Sequence, residues 1–312
     1  MTPRRTVLMG DPAHFSVKGG ANPHTRTRWG TRRQVDVAKA IAQWRRLKDT
    51  LEDHGARVVV VPPDPEQPGL VYPANAGFLT DVDEVQPIER KTFHLSNLLP
   101  TRAGEKRHYR RVLEAEGFRL AEFDPQYRFE GEADFFPVRD VHLFTCGRLE
   151  RQRFVPRLGM PPWKRIYGFR SDARLEPRLA EIVAPRPVHR LELVLEAHYH
   201  GDTALCAFGP QREHLLVYRE ALTPESWNLL LRLFPDLIAL DEPDAHRYAA
   251  NSFTLTRPGE TECFLFMPDG VSEDLKAQIR DRGTTPITID VSEFLKKGGG
   301  SVKCMIGDLG PV

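Results

Sequence analysis

The apolar residues of this chain repeat one order, in which an amphipathic helix is followed by a short turn and a buried strand. Residues 35–54 place apolar side chains at helical spacing, and the run RVVVVPP at 57–63 is typical of a strand that ends at prolines. The same order recurs at residues 107–124, 224–241 and 272–291. Helices that alternate with strands in this way predict an α/β fold.

The repeats are spread over the whole length, with no linker rich in Gly, Ser or Pro between them. They therefore predict a single domain over residues 1–312. A basic, proline-containing segment at about residues 148–166 interrupts the pattern between a strand and the next motif. A solvated surface loop is the plainest interpretation of this insertion. A substrate lid and a subunit contact are the alternatives.

Composition and charge exclude several classes of partner. Hydrophobic residues make up 40% of the 312 positions, which is enough for a substantial core. The 44 Lys and Arg residues nearly balance the 43 Asp and Glu residues, so the net charge is +1. We expect no overall attraction to nucleic acid or to a membrane. The N-terminal segment MTPRRTVLMGDP lacks the apolar core of a secretion signal, which favours a cytoplasmic protein.

Four cysteines are widely spaced, with no CxxC pair, which disfavours both a disulfide framework and a zinc site. Cys146, Cys206 and Cys263 each lie in a strand-like run, where a cysteine usually acts as a small buried hydrophobe. Cys304 differs from them, because it follows three glycines and its neighbour Lys303 is cationic. It is therefore a candidate nucleophile.

Polar side chains stand where the flanking pattern predicts burial. Glu130 and Asp134 lie among phenylalanines in YRFEGEADFF, so their carboxylates need partners. His200 and Asp202 are two positions apart, and on an extended chain both would face the same side. Asn75 follows a largely apolar stretch and precedes Ala76 and Gly77. Singly, each has an ordinary structural explanation. Together with a thiol they indicate a thiolate nucleophile, a proton shuttle and anionic anchors for a cationic substrate.

Five motifs, NAGF, FEGEAD, YHGDT, ANSF and GGGSVKCM, occur in the chain at spacings that resemble those of the guanidino-group modifying enzymes. This group comprises arginine deiminases, dimethylarginine dimethylaminohydrolases, amidinotransferases and arginine dihydrolases. The resemblance implies the pentein fold, a pseudo-fivefold α/β propeller of ββαβ modules around a polar channel. That fold is consistent with the repeated helices and strands.

The resemblance also implies roles for individual residues. Cys304 matches the nucleophile, His200 the general acid and base, and Glu130 the carboxylate that works with this histidine. Asp202 matches the acid that binds the guanidinium. The other substrate contacts that it suggests are Arg102 and Arg170 for the α-carboxylate, together with Asn22, Asn75, Asp134 and Gly299 of the glycine loop.

The chemistry implied is attack of the thiolate on the guanidino carbon, loss of ammonia to give a covalent thiouronium, and hydrolysis by water, with no metal or organic cofactor. Three means of lowering the thiol pKa stay open: the protonated histidine, the cationic substrate and the amides of the glycine loop.

Asn75 bears on the substrate and the product. Deiminases and dimethylargininases usually carry an aspartate in this region, whereas an asparagine resembles the arginine dihydrolases. An amide can both accept from a guanidinium and donate to the ureido oxygen of citrulline, so hydrolysis could continue to ornithine, carbon dioxide and two ammonia molecules. A dihydrolase is therefore favoured over a deiminase. Dimethylarginine hydrolysis, amidino transfer and a non-catalytic binding protein are the alternatives, and a homo-oligomer is left open.

Overall fold

The computed structural model describes residues 3–18, 22–257, 259 and 261–312. In chain order the helices are α1 (Val37–Asp53), α2 (Lys106–Glu116), α3 (Glu176–Val183), α4 (Pro224–Leu233), α5 (Glu242–His246) and α6 (Glu273–Arg280). The strands are β1 (Arg5–Gly10), β2 (Arg57–Val61), β3 (Gly77–Leu79), β4 (Thr92–Leu95), β5 (Arg119–Glu122), β6 (Phe135–Val138), β7 (Val141–Cys146), β8 (Arg153–Pro156), β9 (Trp163–Ile166), β10 (Val188–Glu192), β11 (Leu205–Phe208), β12 (His214–Val217), β13 (Ile238–Ala239), β14 (Phe253–Thr256), β15 (Cys263–Pro268), β16 (Thr284–Ile289) and β17 (Gly307–Pro311).

These elements form five three-stranded sheets of the same design. In each sheet the first strand runs antiparallel to the second, and the second pairs in parallel with the third after a helical crossover. One sheet is assembled from both ends of the chain, because β17 lies antiparallel to β1, which in turn pairs in parallel with β2. The repetition of ββαβ modules that the sequence predicted is confirmed.

Local sequence signals explain where the predicted helices begin and end and which face they bury. Asp36 caps α1 by accepting a hydrogen bond from the backbone N–H of Lys39, and the helix buries an apolar stripe of Ala40, Trp44, Leu47 and Leu51. Helix α2 ends at Gly117, whose φ of 97° lies in the left-handed region that glycine adopts without strain. The four helix-strand units expected from the pattern are therefore α1–β2, α2–β5, α4–β13 and α6–β16.

The segment at about 148–166 lies in the connection between β7 and β10 and forms the β8–β9 hairpin. Most of its side chains are exposed, and Leu158 at the turn is fully so. This exposure agrees with the interpretation of the segment as a surface loop. None of the described helices has the length and apolar character that crossing a bilayer requires.

Cys146, Cys206 and Cys263 are buried within or at the ends of β7, β11 and β15, as small hydrophobes in strands should be. Burial raises the pKa of the thiols of Cys146 and Cys206 to about 12, so both are inert at neutral pH. The structural interpretation of these three cysteines is confirmed.

A network of four charges joins three modules, with Arg5 and Asp308 buried and Asp83 at its exposed edge. Arg5 on β1 donates to both oxygens of Asp308 on β17 (3.0 and 2.6 Å), and Arg212 donates to the same carboxylate at 2.7 Å. Asp83 completes the network through contacts with Arg5 (2.8 Å) and Arg212 (3.0 Å). Burial alone would raise the pKa of Asp308, but the charges of Arg5 and Arg212 outweigh it and hold that pKa below its usual value.

Replacing Asp308 with Asn should lower the free energy of unfolding by about 3 kcal/mol, because Arg5 and Arg212 lose the more buried of the two carboxylates that compensate their charge. The loss should be largest at neutral pH and shrink in acid, since the stabilisation by a carboxylate with a depressed pKa disappears as the pH falls through its folded pKa. Urea unfolding at several pH values measures both effects. Asp49→Asn on the exposed face of α1 is the control, and equal unfolding curves for the two variants would contradict the expectation.

Candidate active site

Each of the five modules contributes a buried polar residue just before its first strand. Asn75, Glu130, His200, Asn251 and Cys304 precede β3, β6, β11, β14 and β17, respectively. Four of them lie in or next to short 3-10 turns, which bend the backbone as it enters the strand. The repeated architecture therefore brings residues that are far apart in sequence to one place.

A cavity opens at this place, and Cys304, Glu130 and Asn75 lie on its wall. Residues 15–18 and 66–69 also line it. The other lining residues of predicted function are Asn22, Arg102 and Arg170; those that sequence reasoning did not single out include Tyr72, Tyr199, Gly298 and Gly300. None of the residues of the β8–β9 hairpin is among them, so this arrangement does not support a lid role for the insertion.

Glu130 and His200 form a buried hydrogen-bonded pair, with 2.8 Å between Glu130 Oε2 and His200 Nε2. Burial lowers the pKa of His200, but the carboxylates of Asp134, Glu130 and Asp202 outweigh this effect and raise it. Burial raises the pKa of Glu130, but the hydrogen bond and charge of His200 and the nearby Arg170 and Arg102 bring it down to about 2. The pair is thus poised as carboxylate and imidazolium.

The expectation that His200 and Asp202 face the same side of an extended chain is wrong. His200 itself is extended, but Gly201–Thr203 forms a 3-10 turn in which the hydroxyl of Thr203 donates to the His200 carbonyl at 2.7 Å. Neither side chain lies on the cavity wall. Instead, each contacts a residue that does, since His200 bonds Glu130 and Asp202 lies beside Cys304.

Two buried atoms of these side chains have no hydrogen-bond partner within the part of the chain that the structure describes. They are Nδ1 of His200 and Oδ1 of Asp202. A buried polar atom without a partner is costly, so such atoms usually mark the place where a ligand or water binds.

The Cys304 thiol lies between Asp202 and Asn251. Its sulfur is 3.4 Å from Asp202 Oδ2, to which it donates, and accepts from Asn251 Nδ2 at 3.2 Å. Burial and then the Asp202 charge raise the pKa of the thiol well above its ordinary value, while the hydrogen bond from Asn251 lowers it. Burial also raises the pKa of Asp202, to about 6. In the absence of substrate, the sulfur is therefore protonated at neutral pH.

Asp134 holds the turn that carries His200. Its Oδ1 accepts from the Thr145 hydroxyl (2.8 Å) and the Gly201 N–H (2.9 Å), and its Oδ2 accepts from the Ser171 hydroxyl (2.7 Å). Like His200 and Asp202, it is absent from the described cavity wall. A direct contact of Asp134 with substrate stays a prediction.

Asn75 is fixed in the cavity wall by Arg102, whose Nη1 donates to Asn75 Oδ1 at 2.8 Å. The same guanidinium makes two hydrogen bonds, at 2.8 and 2.7 Å, to Glu105. The Asn75 Nδ2 has only a long contact of 3.5 Å, to the Glu130 carbonyl. The amide oxygen is therefore held by the protein, while the amide nitrogen is only weakly engaged.

Gly299 and Asn22 shape the loop ahead of the nucleophile. Gly299 adopts a φ of 82°, and a side chain there would collide with the Asn22 amide at 2.5 Å, so glycine is required. Asn22 donates to the Gly298 carbonyl and to Tyr199 Oη, at 2.8 and 3.1 Å. Gly299 itself does not line the described cavity; its neighbours Gly298 and Gly300 do. The structure therefore shows a conformational requirement for glycine at 299, and its contact with substrate stays a prediction.

Arg170 is buried on the cavity wall, with its guanidinium 5.0 Å from the ring centre of Tyr199. Tyr199 also donates to the Gly299 carbonyl at 2.8 Å. This tyrosine is the first residue of the motif YHGDT, but the sequence alone assigned it no role.

Within the described ranges, no group of three or more His, Cys, Asp or Glu side chains is placed to bind a metal ion. The acidic and thiol groups of the site contact hydrogen-bond donors and acceptors instead.

Comparison with known proteins shows to which family this arrangement belongs. A family model described as "N,N dimethylarginine dimethylhydrolase, eukaryotic" matches residues 215–310. The N(G),N(G)-dimethylarginine dimethylaminohydrolase of Mycobacterium tuberculosis is 31% identical over 320 aligned positions, which cover 99% of this chain and 88% of the relative. The chain belongs to the guanidino-group modifying enzymes. It is a hydrolase that acts on guanidino C–N bonds.

Other relatives of this guanidino-group modifying enzyme are bifunctional. The arginine dihydrolase/ornithine cyclodeaminase AgrE of Nostoc is 29% identical over 98% of this chain, which spans only 38% of that protein. The substrate-bound N-terminal domain of the cyanobacterial arginine dihydrolase ArgZ superimposes with a TM-score of 0.79 at 25% identity, covering 98% of both chains. A dimethylarginine dimethylaminohydrolase structure, at 19% identity and a TM-score of 0.67, supports the fold alone. The enzyme has the pentein fold.

Replacing Glu130 with Gln should lower the pKa of His200, because the substitution removes the negative charge and the acceptor that favour the imidazolium. The titration of ¹³C-labelled histidine side chains followed by NMR measures this shift. His142, whose pKa burial lowers to about 4, is an internal control that should not move. An unchanged His200 titration would show that Glu130 does not govern its protonation.

Proposed function

We propose that this enzyme hydrolyses the guanidino group of arginine through a covalent intermediate on Cys304 and continues to ornithine, carbon dioxide and ammonia. The observation that carries the proposal is the contact of the Cys304 thiol with Asp202. Cys304 lies on the same cavity wall as Asn75 and Glu130, and Glu130 makes a hydrogen bond to His200. A nucleophile, an acid-base pair and anionic anchors are the groups that this reaction needs.

The unpartnered acceptors support binding of a planar cation. A guanidinium presents N–H groups along each edge, and Asp202 Oδ1 is a buried acceptor without a partner among the described residues. A second anion, Glu130, lies on the cavity wall. We propose that Asp202 and Glu130 hold the guanidinium so that its central carbon lies next to the sulfur.

The cation would also promote ionisation of the thiol. Burial and Asp202 keep the sulfur protonated at rest. A bound guanidinium offsets both effects, because its positive charge favours the thiolate and neutralises the carboxylate, and the thiol proton leaves to solvent. Of the three means of activation left open by the sequence, the bound substrate fits this resting state best.

The chemical steps then follow. The thiolate attacks the guanidino carbon and forms a C–S bond; protonated His200 gives its proton to one terminal nitrogen, whose C–N bond breaks to release ammonia. Neutral His200 next takes a proton from water, which attacks the thiouronium carbon. The C–S bond breaks, the hydroxyl group loses its remaining proton to solvent, citrulline forms and the thiolate is restored, with His200 again protonated.

Arg170 and Asn22 line the cavity and are proposed to contact the α-carboxylate end of the substrate. Arg102 is proposed to orient Asn75, since its guanidinium already makes hydrogen bonds to both oxygens of Glu105.

Continuation beyond citrulline rests on Asn75. Its Nδ2 is only weakly engaged, and a donor at this position can bind the ureido oxygen that an aspartate would repel. Similarity to proteins described as arginine dihydrolases, ArgZ and AgrE, supports this choice.

Dimethylarginine hydrolysis is the second candidate. It is favoured by the 31% identity, over almost the whole chain, to the mycobacterial dimethylarginine dimethylaminohydrolase. The two candidates differ in substrate, because a dimethylated nitrogen cannot donate N–H groups on its substituted edge.

Incubation with arginine should release ammonia and ornithine, whereas Cys304→Ser should lose turnover by at least roughly 10⁴-fold while keeping its fold. Mass spectrometry of quenched wild-type enzyme should detect the thiouronium adduct on the peptide that contains Cys304. Cys263→Ala, at a buried cysteine on β15, is the matched control and should stay active. Turnover of dimethylarginine alone would select the second candidate, and turnover of neither compound would refute both.

Replacing Asn75 with Asp should make citrulline accumulate in place of ornithine, because a carboxylate can bind the guanidinium but repels the ureido oxygen. Chromatographic separation of the amino-acid products over time measures the ratio. Asn97→Asp changes another asparagine whose amide donates to backbone carbonyls, at 2.9 Å to Asp124, and should not alter the ratio. An unchanged ratio in Asn75→Asp would remove this amide from the second hydrolysis.

A further inference from the structure

Asn251 is a fully buried amide that uses both of its ends on the nucleophile and the loop around it. Its Oδ1 accepts from the backbone N–H groups of Ser301 (3.0 Å) and Cys304 (3.1 Å). Its Nδ2 donates to the Asp202 carbonyl (3.0 Å) and to the Cys304 sulfur (3.2 Å). One side chain therefore holds the glycine loop, the nucleophile and the guanidinium-binding segment together.

The orientation of this amide is determined by its partners. If the amide were flipped, its NH₂ group would face two backbone N–H donors and its oxygen would face a carbonyl oxygen. Only the observed orientation satisfies all four contacts, so an N–H group must be directed at the sulfur.

The placement of Asn251 also follows the modular plan of the fold. It precedes β14, as Asn75, Glu130, His200 and Cys304 precede the first strands of the other four modules. The segment before β14 thus contributes a polar residue to the same site as the segments before the other four first strands.

A buried thiolate needs such a donor. Burial and the Asp202 charge both disfavour the anion, and the cationic substrate is consumed when ammonia leaves. When the C–S bond breaks, the sulfur regains its negative charge next to a neutral product. A fixed neutral N–H group stabilises the anion at that stage without repelling an incoming guanidinium, as a lysine or arginine would.

We propose that Asn251 is a catalytic residue of this enzyme, in which its amide N–H stabilises the Cys304 thiolate while its oxygen positions the glycine loop. The inference rests on the proposed function only in naming Cys304 as the nucleophile. Its test measures ionisation of the sulfur and requires no turnover.

In Asn251→Ala, the pH midpoint of Cys304 alkylation by iodoacetamide should rise. Alkylation at a fixed pH below that midpoint should slow by about ten- to a hundredfold, the effect of losing a hydrogen bond to a charged group. A purely structural role predicts the opposite sign, because a loosened loop admits water to the sulfur and relieves the burial that raises its pKa. Mass spectrometry of the peptide that contains Cys304 separates its reaction from that of the other thiols.

Gln43→Ala is the matched control for loss of a buried amide. Gln43 donates to the Ser292 hydroxyl and accepts from the Glu293 N–H, both at 2.9 Å. It does not line the described cavity. Its removal should lower Tm and leave the alkylation midpoint unchanged. A midpoint in Asn251→Ala at or below that of wild type would overturn the proposal.

A second measurement on the intact wild-type enzyme decides the matter if Asn251→Ala does not fold. The ¹H and ¹⁵N resonances of the Asn251 side-chain amide should shift with the same pH midpoint as alkylation, and Cys304→Ala should abolish that shift. An amide resonance that does not respond to ionisation of the sulfur would overturn the proposal. Absence of arginine turnover in wild type would refute the proposed function and leave this titration intact.

Discussion

Buried charge that must be paired is the constraint on which this structure depends. Glu130, His200, Asp134 and Asp202 are each at most 3% exposed, and an unpaired charge at such depth would cost several kcal/mol. Some of the partners come from other modules: the Glu130–His200 pair joins the module of β6, β7 and β10 to that of β11, β12 and β13. The contacts that make the site reactive are therefore the same contacts that hold the modules in register.

Much of the fold could be predicted from the sequence because its signals are local. The apolar stripe of α1 and the strand that follows it lie within about twenty-five residues of each other, and the glycine that ends α2 acts on its own helix. Helix α3 and strand β10 were not predicted, since the β8–β9 hairpin separates them from β7 and breaks the repeated pattern.

The site could be predicted only in part, for a physical reason. Residue types and motifs identify Cys304, His200 and Glu130 as candidates, but burial and pairing depend on neighbours tens to hundreds of positions away. Asp134 was predicted from its motif, but its hydrogen bonds to Ser171, Thr145 and Gly201, which hold a turn, could not be. The motif ANSF was noticed without a role, because nothing local tells that the Asn251 amide lies against a sulfur 53 positions later.

The pairing of β17 with β1 has a consequence for biosynthesis. The sheet that contains β1 cannot be completed until β17 has been synthesised. The sulfur of Cys304 lies in the turn that leads into β17. The ribosome synthesises this turn and β17 after the other four modules. An incomplete nascent chain that ends before residue 304 can therefore contain Glu130, His200 and Asp202, yet it lacks the Cys304 sulfur that lies against them in the completed fold.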